Sequence, residues 1–206
     1  MALTALALNC SLKSAASGEK SSTDILLSQM LEALKKYDVT GGIVRVVDRN
    51  IKPGVRHDEG DGDEWPDLRE RLLAADILLL GTPVWLGQPS SVCKRVLERL
   101  DAFIHDMDER KRMKSYNRVA LVAVVGNEDG AHHVTAELYQ ALSDCGFTIP
   151  CNGVTYWVGE AMQSKNYRDF PQPPKTVQVA TEMAAANGVH LAALLKQQSY
   201  PGVAPA

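Results

Sequence analysis

Six hydroxyl residues and two lysines crowd the stretch from Ser11 to Thr23: Ser11, Ser14, Ser17, Ser21, Ser22 and Thr23, with Lys13 and Lys20. Hydroxyl donors, loop amides and the N-terminus of a following helix together make an anion site, and phosphate is the commonest such anion. A plain helix cap would need one or two of these hydroxyls. Six exceed that need.

A second stretch, Gly81-Thr82-Pro83-Val84-Trp85-Leu86-Gly87-Gln88-Pro89, is stiffened by two prolines. Gly87 permits close backbone approach, and Trp85 offers a flat aromatic surface. Such a turn suits a planar heterocycle, although a Trp in isolation is more often a core residue. A third, Gly126-Asn127-Glu128-Asp129-Gly130, carries polar residues between two glycines. It reads as a turn with Asp129 capping the next helix, and capping leaves room for contacts to a ligand's polar edge.

Other candidates are weaker. Adjacent His132 and His133 point about 100° apart on a helix and would rarely share one ion, so no metal is expected. The acidic stretch His57–Glu64 lacks the calcium-loop spacing that ends in a bidentate Glu, and reads as a solvated loop. Trp157 is compatible with core, subunit interface or a lid over a ligand. Neither GxGxxG nor a Walker A signature occurs, so a dinucleotide in the primary site is unsupported.

The elements that must position these stretches alternate along the chain. Leu3–Asn9, Ile43–Val47, Asp76–Leu80, Val119–Val125 and a segment within Ile149–Val158 read as strands. Helical periodicity covers Asp24–Tyr37, stopped by Gly41-Gly42, then Pro66–Ala74, a segment starting at Pro89, one after Gly130, and Lys175–Gln197. Asn50–Asp67 is expected as a surface loop. Strands that are apolar throughout, separated by helices, predict an α/β fold: a three-layer, doubly wound, five-stranded parallel sheet in one domain spanning residues 1–206. In such sheets the ligand sits beyond the carboxyl ends of the strands, where strand order reverses. The three unusual stretches follow strands one, three and four.

Composition narrows the class. The chain has 206 residues, 45% hydrophobic and 23% charged, which is ordinary for a globular protein. With 22 Lys and Arg against 25 Asp and Glu, the net charge is −3, which argues against a nucleic-acid or membrane-surface binder. Cys10, Cys93, Cys145 and Cys151 form no C-x-x-C pair and read as buried hydrophobes of a reducing compartment. The apolar start lacks a positive leader and a small-residue cleavage site, so it reads as a first strand of a cytoplasmic protein.

Same-architecture enzymes can be tested residue by residue. A low-molecular-weight phosphotyrosine phosphatase needs an Arg six positions after its nucleophilic Cys, where Cys10 finds Ala16. A receiver domain needs an Asp at the end of its third strand, where Gly81-Thr82 stands. Both fail.

Across Asn9-Cys10-Ser11-Leu12-Lys13 with Ser21-Ser22-Thr23, then Gly81 to Gly87, Lys94 to Asp101 and Gly126 to Gly130, the chain resembles the flavodoxin-like NADPH-dependent FMN reductases. That family includes quinone and azo-dye reductases. The resemblance covers roughly residues 3–150 in order, with a first loop longer than the shortest family pattern. It implies non-covalent FMN, with NADPH or NADH as co-substrate and a small-molecule acceptor. Ser11, Lys13, Ser21, Ser22 and Thr23 would hold the phosphate. Pro83, Val84, Trp85, Leu86 and Gly87 would line the isoalloxazine, and Gly126, Asn127, Glu128 and Gly130 would meet its pyrimidine edge.

By the same resemblance, hydride passes from nicotinamide to flavin and on to a flavin, quinone or similar acceptor, with ping-pong kinetics. Amides at Gly126–Asn127 would stabilise charge developing on the flavin. No catalytic acid or nucleophile is expected, and a homodimer or homotetramer is. Two alternatives are a flavodoxin-type electron carrier, which a net charge of −3 disfavours, and a flavin-free module retaining the fold.

Overall fold

The computed structural model describes residues 2–160 and 162–204; Met1, Ala161, Pro205 and Ala206 lie outside the described residues. The elements are β1 (Thr4–Asn9), α1 (Ser22–Lys35), β2 (Thr40–Arg45), α2 (Trp65–Ala74), β3 (Ile77–Trp85), β4 (Gln88–Pro89), α3 (Ser91–Leu100), β5 (Val119–Gly126), α4 (Ala131–Asp144), β6 (Val154–Val158) and α5 (Lys175–Gln197). Five parallel strands run in the order β2-β1-β3-β5-β6, and the short β4 folds back antiparallel on the end of β3. This is the expected doubly wound α/β sheet, with one added edge piece.

Period-two alternation sorts each strand between two cores. Leu6 and Leu8 of β1 face the α2, α3 and α4 side, while Ala5 and Ala7 face α1 and α5. Every residue from Val119 to Val125 is buried, as befits a strand covered on both faces. Truncating Leu121 there, or its β3 neighbour Leu79, to Ala would cost about 2–5 kcal/mol. Strand order reverses between β1 and β3, and Cys10 N–H donates to the Gly81 carbonyl at 2.9 Å where the two strands end. The crevice for a ligand therefore opens at the carboxyl ends of β1, β3 and β5.

Several boundaries differ from those read in the sequence, each for a tertiary reason. Gly41 and Gly42 lie inside β2, because pairing with Ala5 and Leu6 outweighs their weak strand preference. α1 instead ends at Lys35, followed by Asp38 in the left-handed region (φ 60°). Residues 82–85 continue β3, with Thr82 and Pro83 paired to β5 and Val84 and Trp85 paired to β4, and Pro89 belongs to β4 while Ser90 caps α3. Gly130, not Asp129, stands at the N-cap of α4; the Asp129 carboxylate accepts the Gly130 N–H. α5 spans the predicted residues.

The acidic stretch is more than a solvated loop. Asp63 and Arg99 pair at 2.8 Å with both side chains wholly buried, and Trp65 is buried beside the guanidinium, 5.7 Å from its carbon to the ring centroid. Cys151 is exposed, unlike the other three cysteines. Among the described residues, no helix is long and apolar enough to cross a membrane.

Candidate functional site

The first loop is held from beneath by a polar network. Asn9, fully buried at the end of β1, donates to Asp24 at 2.8 Å and accepts the Ser11 N–H at 3.0 Å. Arg45 reaches Asp24 (3.4 Å) and the Lys13 carbonyl (3.1 Å), and Asp48 accepts the Ala15 N–H. Ser14 and Ser17 cap a short 3-10 turn at 15–17 and satisfy each other's groups. Ser21 caps α1 by accepting the Asp24 N–H at 3.2 Å. The plain capping reading thus accounts for three hydroxyls. First-turn amides of α1, at Ser22 and Thr23, lack intrahelical acceptors by helix geometry and sit at the positive end of its dipole.

The second stretch is a hairpin tip. Leu86 (φ 52°) and Gly87 (φ 74°) both take positive φ, the requirement of a tight two-residue turn between β3 and β4. Glu128 from the third stretch accepts the Leu86 N–H at 2.8 Å, fastening tip to loop. Gly130 completes the fit: a Cβ there would come within 2.8 Å of the Gly87 Cα, and its φ is 132°. The two loops meet so closely only because neither carries a side chain at that point. Trp85 is 52% exposed, so it is not a core residue.

One cleft gathers Ser11, Lys13, Ser21, Ser22, Thr23, Pro83, Val84, Trp85, Gly126 and Asn127. Leu86, Gly87, Glu128 and Gly130 do not line it; they form the hairpin-and-loop junction at its rim. Its lining joins hydroxyls and Lys13 of the first loop to proline, tryptophan and backbone of the other two.

The same cleft takes in residues that sequence reasoning missed: Asn166, Tyr167 and Arg168, from a strap following β6. Trp157 packs against Tyr167 (5.6 Å) and Phe170 (5.5 Å) and lines the cleft wall. The Tyr167 hydroxyl donates to Gln29 of α1 at 2.5 Å. Burial pushes its pKa up to about 12 despite that bond, so it pins the strap and holds its proton. A signal existed for the strap in its aromatics. None existed for Arg168, a lone arginine in a loop.

His132 and His133 engage different partners: His132 packs edge-on against Tyr156 (5.3 Å), and His133 meets Glu137 at 2.9 Å. A larger groove of roughly 420 Å³ runs between α1 and α5. Its rim carries Asp24, Glu32 and Glu182, and its lysine, Lys36, is paired with Glu182 at 2.9 Å. That acidity repels a phosphate, whereas the loop cleft offers it donors.

The sequence matches NADPH-dependent FMN reductase over residues 3–163. The chain belongs to that family. It is an oxidoreductase of the flavoprotein kind, using FMN with NAD(P)H as electron donor. A curated relative from Streptomyces davaonensis, 8-demethyl-8-aminoriboflavin-5'-phosphate synthase, is 33% identical over 215 positions, covering 97% of this chain and 81% of the relative. The solved structure of RosB with bound 8-demethyl-8-formylriboflavin-5'-phosphate superposes with a TM-score of 0.87 at 31% identity, covering 96% of this chain and 82% of that one. An NADH:FMN oxidoreductase (EMOB) has a TM-score of 0.66 at 18% identity, covering 93% and 89%, and shows the shared fold alone. A Mycobacterium bovis protein described as divalent metal cation transporter MntH is 38% identical over 171 residues; these are 81% of this chain but 25% of that protein. The FMN-reductase fold is thus common ground.

Proposed function

We propose that residues 1–206 form a single FMN-binding domain that oxidises NAD(P)H and passes the electrons to a small flavin, quinone or similar acceptor. FMN, when bound, supplies the hydride-accepting and electron-returning chemistry. The observation that carries the reading is the convergence of three chain-distant loops on one cleft whose lining combines hydroxyl and lysine donors with a proline and an aromatic ring. Ser11, Lys13, Ser21, Ser22 and Thr23 hold the phosphate, helped by the α1 first-turn amides. Pro83, Val84 and Trp85 flank the ring, and Leu86 and Gly87 shape the tip that approaches it. Backbone at Gly126 and Asn127 faces the pyrimidine edge, where fixed N–H donors stabilise negative charge without reorganising.

Glu128 and Gly130 act by keeping hairpin and loop together, since one Glu128 oxygen already accepts the Leu86 N–H. Trp157 and the strap exclude water from one flank. The other flank is open at Trp85, so donor and acceptor take turns there, and the kinetics are ping-pong. The family's small-molecule acceptors and the absence of a basic surface excess favour neither nucleic acid nor membrane as partner. We assign the enzyme to the cytoplasm and expect a homodimer or homotetramer.

A second reading is favoured by the flavin-converting relative at 33% identity: the bound flavin phosphate is itself the molecule converted. One experiment separates the readings. Purified protein is loaded with FMN, desalted, and treated with NADPH without oxygen. Retained yellow absorption that bleaches, and returns on adding a quinone with the flavin's mass unchanged, is the expected result. A flavin of altered mass would transfer support to the second reading. Flavin that stays yellow with either pyridine nucleotide would refute the reductase, and protein that retains none would refute both.

A further inference from the structure

We infer that Arg168 and Glu19 together make this cleft selective for the phosphorylated form of its flavin: Arg168 adds a cation, and Glu19 competes with the phosphate for Lys13. The inference rests on the FMN reading above and assigns its selectivity to two residues outside the expected set.

Lys13, the first-loop lysine that lines the cleft, is already matched. Its Nζ lies 2.8 Å from a Glu19 carboxylate oxygen, so the pair has no net charge to offer a phosphate dianion. Arg168 supplies the difference. Its Nη1 donates to the Lys20 carbonyl at 2.8 Å, and the Lys13 Nζ reaches the same oxygen at 3.5 Å. Two cations therefore converge on one point of the loop immediately before the α1 N-terminus. Arg168 is carried there by tertiary packing: its N–H donates to Ser22 Oγ at 3.3 Å, beside the Tyr167–Gln29 bond.

Nearby acids are otherwise engaged. Asp24 binds Asn9 and Arg45, and Asp48 accepts the Ala15 N–H. Asp169 lies 3.9 Å from Arg168 Nε and keeps its charge, which it shares with Lys165, while its other oxygen accepts from the Asn166 backbone and side chain. Among the described residues, Glu19 is the acid that faces both cations. Its carboxyl is held below the usual value first by the Lys13 hydrogen bond and charge, with Arg168 adding to the effect. A phosphate that displaces Glu19 meets Lys13 and Arg168 together, where Lys13 with Glu19 offers no net charge. A flavin without phosphate gains nothing from that exchange, and selectivity follows.

The test is a set of fluorescence-quenching titrations with FMN and with riboflavin, on wild type, Arg168→Gln, Arg168→Lys and Glu19→Gln. Arg168→Gln should weaken FMN about 10- to 100-fold, the size of a lost charge-assisted hydrogen bond, and leave riboflavin nearly unchanged. Arg168→Lys should restore most of the FMN preference, and Glu19→Gln should tighten FMN alone. Equal weakening of both flavins by Arg168→Gln would overturn the inference, since a merely loop-shaping arginine acts on both. Unchanged FMN affinity, or weaker FMN binding in Glu19→Gln, would overturn it as well. If Arg168→Gln fails to fold, judged by near-UV circular dichroism, the decision passes to Arg168→Lys and Glu19→Gln. Wild type that prefers neither flavin while binding both refutes this selectivity; wild type that binds neither refutes the proposed function and the inference with it.

Discussion

Asp63→Ala removes half of an ion pair sealed inside the α2–α3 face. The Asp63 carboxylate accepts Arg99 Nη2 at 2.8 Å and three backbone N–H groups: Glu59 at 2.9 Å, Trp65 at 3.1 Å and Lys52 at 3.2 Å. Neither side chain is exposed, and what remains for Arg99 is the Lys52 carbonyl at 3.3 Å and Glu59 at 3.8 Å. A buried guanidinium left with only the long Glu59 contact for its charge, together with three orphaned donors, places the loss at about 3–5 kcal/mol. At about 2–4 °C per kcal/mol for a chain of this size, melting should fall by roughly 6–20 °C.

Urea unfolding measures the free energy directly. Adding Arg99→Met to Asp63→Ala should restore part of the loss, because the poorly compensated buried charge goes with it. Burial by itself would raise the Asp63 carboxyl, but the Glu59, Trp65 and Lys52 amides, with Arg99, outweigh it and hold it low. A folded value below the unfolded one, about 3.9, means the stabilisation is complete above that pH and fades as pH falls through the folded value. Wild type should therefore lose stability in acid more steeply than Asp63→Ala. A loss under about 1 kcal/mol with no change in acid slope would refute a dry pair and return residues 57–64 to the solvated loop expected from sequence.

Trp85→Ala should weaken FMN retention on desalting with melting little changed, because the ring is half exposed; unchanged affinity would remove Trp85 from the flavin wall. Gly130→Ala should lower both melting temperature and FMN affinity, since a Cβ at φ 132° faces Gly87 Cα at 2.8 Å, and a neutral result would mean the two loops are not locked. Thr155→Val leaves the buried Thr181 hydroxyl without its 2.9 Å partner and should cost about 1–3 kcal/mol, while Thr155→Val with Thr181→Val should regain much of it in urea unfolding. Native protein should react with a thiol reagent at Cys151 before Cys10, Cys93 and Cys145, which are buried; burial pushes Cys145 up to about 11 and, with Cys93 beside it, raises Cys10 as well.

The sheet and the order of its loops were legible because their cause is local. A strand buried on both faces must be apolar throughout, as Val119–Val125 is, and α5 shows its span in its own periodicity. The Ser/Lys loop, the Pro-Trp-Gly turn and the Gly-Asn-Glu-Asp-Gly loop were visible as departures from that background. Tertiary structure decided what depends on residues far apart in the chain. Gly41 and Gly42 are strand only because β1 pairs with them. Asp63 is buried only because Arg99, 36 positions away, meets it. Arg168 reaches the first loop across 148 positions, through packing that no local pattern encodes. Single charged residues read alike in sequence whether solvated or paired, because a charge's role is set by what surrounds it, and surroundings belong to the fold.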